Sequence, residues 1–195
     1  MILTANEKGV LRLLASSAGK NLSMNEIGKA CGVSSGGAYK ILTKLGKEGI
    51  LKVENIANIR AYRLDFESEK TSRVLELALM SDSLEGRVRA RAEDLKALKT
   101  VAKACILFGS YITTKKEPGD LDVLFVLERK NFEAYKKALA KVQDIVPVKV
   151  QDVVQTGDDL RNNLKNNDPI VVEALRNGVV LWGFDVLVQV MKNVS

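Results

Sequence analysis

Two apolar segments set the architecture of the second half of this chain: Ala104-Cys-Ile-Leu-Phe-Gly-Ser110 and, nine residues later, Asp120-Leu-Asp-Val-Leu-Phe-Val-Leu127. Each apolar run has the length of a buried strand. Since strand side chains alternate between the two faces of a sheet, Asp120 and Asp122 share one face. Two like charges side by side are costly to bury unless a cation lies between them. The pair therefore predicts a divalent-metal site.

The surroundings of this pair favour Mg²⁺, or Mn²⁺, together with a phosphate-bearing ligand. Mg²⁺ in proteins is commonly held by one or two carboxylates and by substrate phosphates. Gly109 and Ser110 end the first strand and offer free backbone amides and a hydroxyl where a helix begins, which suits phosphate binding. A Gly-Ser or an Asp-x-Asp alone is a weak signal. The order of strand, Gly-Ser, spacer, Asp-x-Asp and strand is a stronger one.

This order resembles the minimal form of the nucleotidyltransferase superfamily related to DNA polymerase beta, over about residues 103–183. The resemblance implies that Asp120 and Asp122 bind Mg²⁺, which bridges the triphosphate of a nucleotide. It also implies that Gly109 and Ser110 hold the β- and γ-phosphates. The implied reaction transfers a nucleotidyl group, AMP from ATP, to a protein or small acceptor, with release of pyrophosphate.

The family has a third carboxylate on the strand after the intervening helix. Asp152 fits this place, because alternate residues of the expected strand share one face, namely Val146, Val148, Val150 and Asp152. We therefore expect Asp152 to help bind a second metal or to deprotonate the acceptor hydroxyl. The segment Ala174-Leu-Arg-Asn-Gly-Val-Val-Leu-Trp-Gly183 is also typical of the family's ending.

The loop after Gly-Ser departs from the family pattern. Minimal members often carry Arg-Gly soon after Gly-Ser and a serine before the first aspartate. Here those places hold Tyr111-Ile-Thr-Thr114 and Gly119. Lys115 and Lys116 lie in the same loop, supply positive charge and are further nucleotide-binding candidates. The alternative to an active enzyme is an inert or metal-binding domain that serves as a regulatory sensor.

Residues 1–66 predict three helices followed by a β-hairpin. A serine or threonine with a glutamate three residues on predicts a capping box at two helix starts, formed by Thr4 with Glu7 and by Ser23 with Glu26. Gly32 is placed for a left-handed turn, because it has no Cβ to clash. A third helix follows and stops at Gly49. Two extended runs, 50–54 and 61–64, then flank a tip at 55–60.

This arrangement resembles the winged helix-turn-helix family of DNA-binding domains over roughly residues 4–66. The resemblance rests on Leu22-Ser-Met-Asn-Glu-Ile-Gly-Lys-Ala-Cys-Gly-Val-Ser34 and on Ile41-Leu-Thr-Lys-Leu-Gly-Lys-Glu-Gly49. It implies that the third helix enters the major groove of double-stranded DNA and that the hairpin touches the backbone or the minor groove. The residues expected to reach DNA are Ser35, Tyr39, Lys40, Thr43, Lys44 and Arg60. The alternative is a winged helix used only for protein contacts.

The charge of the chain supports a polyanionic partner for its first third. Residues 1–65 carry 10 Lys/Arg and 5 Asp/Glu, which is a net charge of +5 within a total of +6. A basic domain beside a nearly neutral one suggests contact with a nucleic acid. The other interpretation of this charge is a solvated basic surface.

Residues 67–100 predict one or two linker helices, rich in leucine and free of proline. Such connectors often dimerise winged helices, and dimers match two DNA half-sites. We therefore expect the leucines between Leu75 and Leu98 to face a second copy of the chain. The alternative is a helix that packs on its own chain.

The amino-acid composition excludes several classes of catalytic mechanism and metal site. The chain has no histidine, which removes Ser-His-Asp and Cys-His mechanisms and His-ligated zinc. Cys31 and Cys105 are far apart and no export signal is recognised, so we expect reduced thiols in a cytoplasmic protein. No apolar run approaches ~18 residues, so we expect no membrane span.

The sequence therefore predicts an α+β protein with three parts: a winged helix-turn-helix (1–66), a helical linker (67–100) and a nucleotidyltransferase mixed sheet flanked by helices (101–195). The predicted function is DNA binding combined with Mg²⁺-dependent nucleotidyl transfer. The alternative is a transcriptional regulator whose transferase fold only senses nucleotide or is inactive. The resemblance also implies a small helical partner of the HEPN type, which some antitoxins of the family adenylylate.

Overall fold

The computed structural model describes residues 2–56, 58–84, 86–113 and 118–194, and the structural statements below concern that part of the chain. The chain forms a mixed α+β structure with two sheets. The α-helices are α1 (Ala5–Ser16), α2 (Met24–Cys31), α3 (Ser35–Lys47), α4 (Glu69–Leu79), α5 (Gly86–Leu95), α6 (Ser110–Thr113), α7 (Phe132–Gln143), α8 (Gly157–Lys165), α9 (Pro169–Asn177) and α10 (Phe184–Lys192). The strands are β1 (Leu22–Ser23), β2 (Leu51–Ile56), β3 (Ile59–Leu64), β4 (Ala104–Phe108), β5 (Asp120–Val126), β6 (Lys149–Gln155) and β7 (Val179–Trp182).

The first three helices begin where the sequence predicts. Both capping boxes are confirmed, at α1 by Thr4 with Glu7 and at α2 by Ser23 with Glu26. Gly32 ends α2 with a φ of 63°, in the left-handed region that favours glycine. Ser34 caps α3 with its side chain. Local side-chain chemistry therefore fixes the boundaries of these helices.

The hairpin that follows α3 is longer than expected. β2 and β3 pair antiparallel from Leu51 opposite Leu64 to Ile56 opposite Ile59, so the strands extend into the predicted tip. Ile56 and Ile59, which face each other at the end of the hairpin, are both more than half exposed. β1 pairs with the other edge of β3, and the sheet order is β1-β3-β2.

The second sheet has the order β6-β5-β4-β7. β4 is antiparallel to β5 and to β7, whereas β5 is parallel to β6, so this sheet is mixed as predicted. Its two faces belong to two apolar cores. Leu124 of β5 lies in a main core with residues of α8, α9 and α10. Phe125, one residue on, lies in a second core with residues of α5 and α7.

The main core continues from the second sheet into the N-terminal helices. It contains Leu14 of α1 and Leu75 of α4 together with Leu124 of β5 and Leu187 of α10. α1 contacts α9, and α4 contacts α10. The two sheets are therefore joined by one continuous apolar cluster.

A polar contact is built into this junction. The guanidinium of Arg12 on α1 donates from Nε and Nη2 to the carbonyl of Leu175, at 3.1 and 3.0 Å, and from Nη2 to the carbonyl of Gly178. Both acceptors lie at the C-terminus of α9, where helix carbonyls lack intrahelical partners. Burial lowers the pKa of Arg12 to about 10, so the side chain is still a cation at neutral pH.

The leucines of residues 67–100 pack on their own chain. Leu75, Leu79, Leu95 and Leu98 are fully buried in the absence of a second copy, whereas Leu77 is 43% exposed. For the four buried leucines the expectation that they face a second chain is wrong, because the two cores already enclose them. A homodimer stays a prediction that these leucines do not support.

Cys31 and Cys105 are both free thiols. A search of the described helices finds none with the length and apolar character that a membrane span needs.

We predict that Arg12→Ala destabilises the protein by about 2–3 kcal/mol, because it leaves the carbonyls of two buried residues without their charged donor. For a chain of this size, that corresponds to a fall in Tm of roughly 4–12 °C. Arg73→Ala is the matched control, since Arg73 lies on α4 and is exposed. Thermal unfolding followed by circular dichroism measures both. Equal Tm values for the two variants would contradict a structural role for Arg12.

Candidate functional site

The site begins at the point where β4 ends. Gly109 follows Phe108 with a φ of 71°, a conformation that residues with a Cβ rarely adopt. A Cβ at Gly109 would collide with the Oδ2 atom of Asp122 on the neighbouring strand. Glycine therefore serves twice here, since it permits the turn and lets the backbone approach a carboxylate.

Asp120 and Asp122 lie on one face of β5, as their spacing predicts. Asp122 is paired with Phe108 across the sheet, and its even-numbered neighbour Leu124 faces the main core. Burial, the charge of Asp120 and the charge of Glu173 raise the pKa of Asp122. The ionised form of Asp122 therefore costs stability near neutral pH in the absence of a cation.

Asp152 does not join this pair. β6 runs parallel to β5 with Gln151 beside Asp122 and Asp152 beside Val123, so Asp152 lies on the opposite face of the sheet. The hydroxyl of Tyr135 on α7 donates to Oδ2 of Asp152 at 2.9 Å. Asp152 lines the same cleft as Asp122, but this register turns its side chain to the other face, so the structure does not support a metal shared by Asp152 with Asp120 and Asp122.

Gln151 occupies the position on β6 where a third carboxylate was expected. Its Nε2 donates to Oδ2 of Asp120. An amide is neutral at all ordinary pH values, so Gln151 holds Asp120 in place and cannot accept a proton from a substrate. Because strand residues alternate between faces, the sequence predicted that Gln151 and Asp152 lie on opposite faces of β6. It did not show which of the two faces Asp122, since that depends on the register of β6 against β5.

Glu173 is the site residue that the sequence did not indicate. It lies on α9, more than 50 residues after Asp122, and its charge reaches Asp122. Glu173, Ile170 and Lys149 line a cleft of about 490 Å³ together with Gly109 and Asp122. No local motif marks Glu173, because only the packing of α9 brings it to the cleft.

The residues present fit a divalent cation held jointly by protein and phosphate. Within the described ranges, no group of three or more His, Cys, Asp or Glu side chains lies close enough together to hold a metal ion. Asp120 and Asp122 supply the one or two carboxylates that Mg²⁺ takes when phosphates complete its shell. Gly109 allows the carboxylate of Asp122 to lie against the backbone at the end of β4, where a Cβ would exclude it.

Of the remaining residues expected to bind phosphate, the structure describes only one. Ser110 is exposed at the first position of α6 and directly follows Gly109. Lys115 and Lys116 lie outside the described residues.

The N-terminal candidates lie on α3 and on the hairpin. Tyr39 is 56% exposed, and Ser35, Lys40 and Arg60 are exposed as well. Tyr39 and Arg60 line the same groove, which has a volume of about 410 Å³ and lies between α3 and the hairpin. Thr43 is half-buried on α3. The structure therefore brings Tyr39 and Arg60 together at one groove, and it places Ser35, Lys40 and Thr43 on the same helix as Tyr39.

Lys47 adds a cation to this surface that the sequence did not single out. It is exposed on α3, two helical turns from Lys40. Within the described part of the chain, neither Lys40 nor Lys47 forms an ion pair. Both charges are therefore available to a polyanion.

Lys44 has a structural partner instead. Its Nζ lies 2.7 Å from Oε1 of Glu7, whose side chain is 5% exposed. Burial alone would raise the pKa of Glu7, but hydrogen bonds from Lys44 and Thr4 hold it below its ordinary value of 4.5. The expectation that Lys44 is a free phosphate contact is corrected by this ion pair, which ties α3 to α1.

One comparison with known proteins finds a match. A family described as "Family of unknown function (DUF6932)" matches residues 83–169. That segment includes Gly109, Asp120 and Asp122, and it ends before Glu173. No curated protein and no solved structure matches the chain.

We predict that Lys44→Ala lowers the free energy of unfolding at pH 7 by about 1–2 kcal/mol, because it leaves the Glu7 carboxylate buried without its cation. Lys40→Ala, an identical change of an exposed and unpaired lysine on the same helix, serves as the control and has little effect. The difference between the two variants narrows as the pH falls below 4.5, the ordinary pKa of Glu7, because protonation removes the charge that Lys44 stabilises. Urea unfolding at several pH values measures this difference. A gap that does not depend on pH would contradict the role of Glu7.

Proposed function

We propose that the protein binds double-stranded DNA through its N-terminal unit and carries a Mg²⁺-dependent nucleotidyltransferase site on its second sheet. The observation that carries the second part is the close approach of Gly109 to the carboxylate of Asp122, with Asp120 on the same strand face. The glycine turn and the carboxylate of Asp122 thereby line one cleft, and Ser110 and Asp120 are close to them in the chain.

The topology around the cleft supports this proposal. An antiparallel pair of strands joined through Gly109-Ser110 is followed, after α7, by a strand parallel to the second one. This is the order of elements that the resemblance to minimal nucleotidyltransferases implies. The closing strand β7 returns antiparallel to β4.

In the proposed site, Asp120 and Asp122 hold the cation and Gly109 and Ser110 hold the β- and γ-phosphates. Mg²⁺, when bound, supplies the positive charge that stabilises the triphosphate and the departing pyrophosphate. The Gln151 amide orients Asp120. Glu173 lines the cleft and is exposed, and it takes the proton of an acceptor hydroxyl in the place first expected for Asp152, whose Oδ2 accepts a hydrogen bond from Tyr135.

A second candidate function is nucleotide sensing without turnover. It is favoured by Gln151, because this neutral amide occupies the strand position beside Asp122 where a transferase would need a general base. Glu173 comes instead from a helix and is exposed. In this case Mg²⁺–nucleotide binds to the cleft and no nucleotidyl group is transferred.

We predict that Mg²⁺–ATP stabilises the wild-type protein by ~2.7 kcal/mol at 100 times its Kd, because the ligand binds only the folded state. Asp122→Asn loses this gain. The same variant has a higher Tm than the wild type without metal near neutral pH, because a charge that burial disfavours and that Asp120 and Glu173 repel is gone. Asp144→Asn, which makes the same change at an exposed residue after α7, behaves as the wild type. Thermal unfolding with and without Mg²⁺–ATP tests these points, and an absence of gain in the wild type would refute the site.

Pyrophosphate release distinguishes the two candidates. Turnover that disappears in Asp122→Asn and falls in Glu173→Gln supports the transferase. Both assays are run with and without a small helical HEPN-type protein as acceptor. Stabilisation by Mg²⁺–ATP without release of pyrophosphate in either case supports the nucleotide sensor.

The DNA-binding part of the proposal rests on the surface of α3 and the hairpin. Lys40 and Lys47 provide unpaired positive charge, which suits phosphate contacts. Tyr39 and Thr43 lie on the same helix as candidates for contact with base edges, and Arg60 lies across the groove on the hairpin. Together they form a surface that can follow the major groove with α3.

We predict that the variant Lys40→Ala/Lys47→Ala binds duplex DNA more weakly at all sequences and lowers the slope of log K against log salt by about 2, since two phosphate contacts are lost. The matched control is Lys137→Ala/Lys141→Ala, which removes two exposed lysines of α7. Fluorescence anisotropy with a labelled duplex over a salt series provides the measurement. Equal slopes for the two double variants would show that α3 is not the DNA-binding face.

A further inference from the structure

One cation of the Asp122 cleft has no role in the site proposed above. Lys149 is the first residue of β6 and pairs with Asp120 in the parallel ladder between β5 and β6. Paired residues of neighbouring strands point to the same face of a sheet, so Lys149 shares the face of Asp120 and Asp122. Of the described residues that line the cleft, Lys149 is the one with a positive charge.

The ammonium group of Lys149 has no partner within the described part of the chain. It is exposed, and it forms neither an ion pair nor a side-chain hydrogen bond there. Asp120, its neighbour on β5, accepts a hydrogen bond from Gln151 instead. Burial and the charges of Asp120 and Glu173 raise the pKa of Asp122, and Lys149 does not offset them. The positive charge of Lys149 is therefore available to a ligand in the cleft.

The order of the strands places Lys149 and Gly109 on opposite sides of the two aspartates. The sheet runs β6-β5-β4, with Lys149 on β6, the aspartates on β5 and Gly109 directly after β4. Two strand spacings separate β4 from β6, which is about 10 Å. A triphosphate whose terminal groups lie at Gly109, with its cation at Asp122, therefore extends toward β6 with its α-phosphate.

We propose that Lys149 binds the α-phosphate of the nucleotide and stabilises its charge during transfer, an inference that rests on the function proposed above. In this step the acceptor oxygen bonds to the α-phosphorus, and the bond from that phosphorus to the pyrophosphate oxygen breaks. The proton of the acceptor hydroxyl passes to Glu173. A fixed positive charge beside the α-phosphate oxygens lowers the barrier, and lysine binds phosphate as a point charge.

The test compares the Mg²⁺ complexes of ATP and of pyrophosphate on the full chain. Pyrophosphate stands for the β- and γ-phosphates and lacks the α-phosphate. In isothermal titration calorimetry without an acceptor, Lys149→Ala is expected to weaken Mg²⁺–ATP about tenfold, because a charge-assisted contact is lost. The same variant is expected to bind Mg²⁺–pyrophosphate as tightly as the wild type. Lys149→Arg keeps the charge and is expected to retain most of the affinity for Mg²⁺–ATP.

Lys141→Ala is the matched control. Lys141 is an exposed lysine of α7, and this helix packs through Tyr135 and Val142 against the opposite face of the sheet. The control is expected to bind both complexes as the wild type does. Since Lys149 is itself exposed, its removal is not expected to perturb the fold.

The outcomes separate a failure of this inference from a failure of the proposed function. If the wild type binds neither complex, the nucleotide site fails and the role of Lys149 fails with it. If the wild type binds Mg²⁺–ATP and Lys149→Ala binds it equally tightly, only the role of Lys149 is overturned. An equal loss of ATP and pyrophosphate affinity in Lys149→Ala also overturns it, because the lysine then does not act on the α-phosphate.

Discussion

The guanidinium of Arg12 lies against the C-terminal carbonyls of α9, and the relation between the two halves of the chain depends on this contact. A helix C-terminus carries partial negative charge and carbonyls without partners. Withdrawing these carbonyls from water costs free energy, and so does withdrawing a cation from water, unless each is hydrogen-bonded. Each group thus compensates the desolvation of the other, and α1 is fixed on α9 at one position.

The position of α9 matters because this helix lines the cleft of Asp122 and also contacts the N-terminal helices. Glu173 and Ile170 line the cleft of Asp122. Arg176, on the same helix, donates from Nη2 to the carbonyl of Ala30 near the end of α2. A ligand that moves Glu173 therefore acts on a helix that is bonded to α1 and to α2. By linkage, any effect of nucleotide on DNA affinity would be matched by an equal effect of DNA on nucleotide affinity.

Much of this fold was predictable from local sequence, and the exceptions have physical reasons. Three features were predictable because each depends only on residues within four positions of one another. They are the capping boxes, the Gly32 turn and the alternation of β5. The face of Asp152 depends instead on how β6 is registered against β5, and a displacement by one residue moves every side chain to the other face. The Lys44–Glu7 pair and the burial of Leu75 likewise depend on packing between distant segments.

The charges of the cleft bear on the choice between its two proposed functions, nucleotidyl transfer and nucleotide sensing. Asp120, Asp122 and Glu173 form no salt bridge within the described chain, and the pKa of Asp122 is raised by burial and by the other two charges. A carboxylate at position 151 would add a fourth negative charge beside Asp122, whereas Gln151 adds none and donates a hydrogen bond to Asp120. The neutral amide therefore lowers the repulsion that the metal-free protein must bear, and it removes the base that a strand-borne carboxylate would provide. Transfer chemistry at this cleft consequently depends on Glu173, whose position is set by α9 and hence by Arg12.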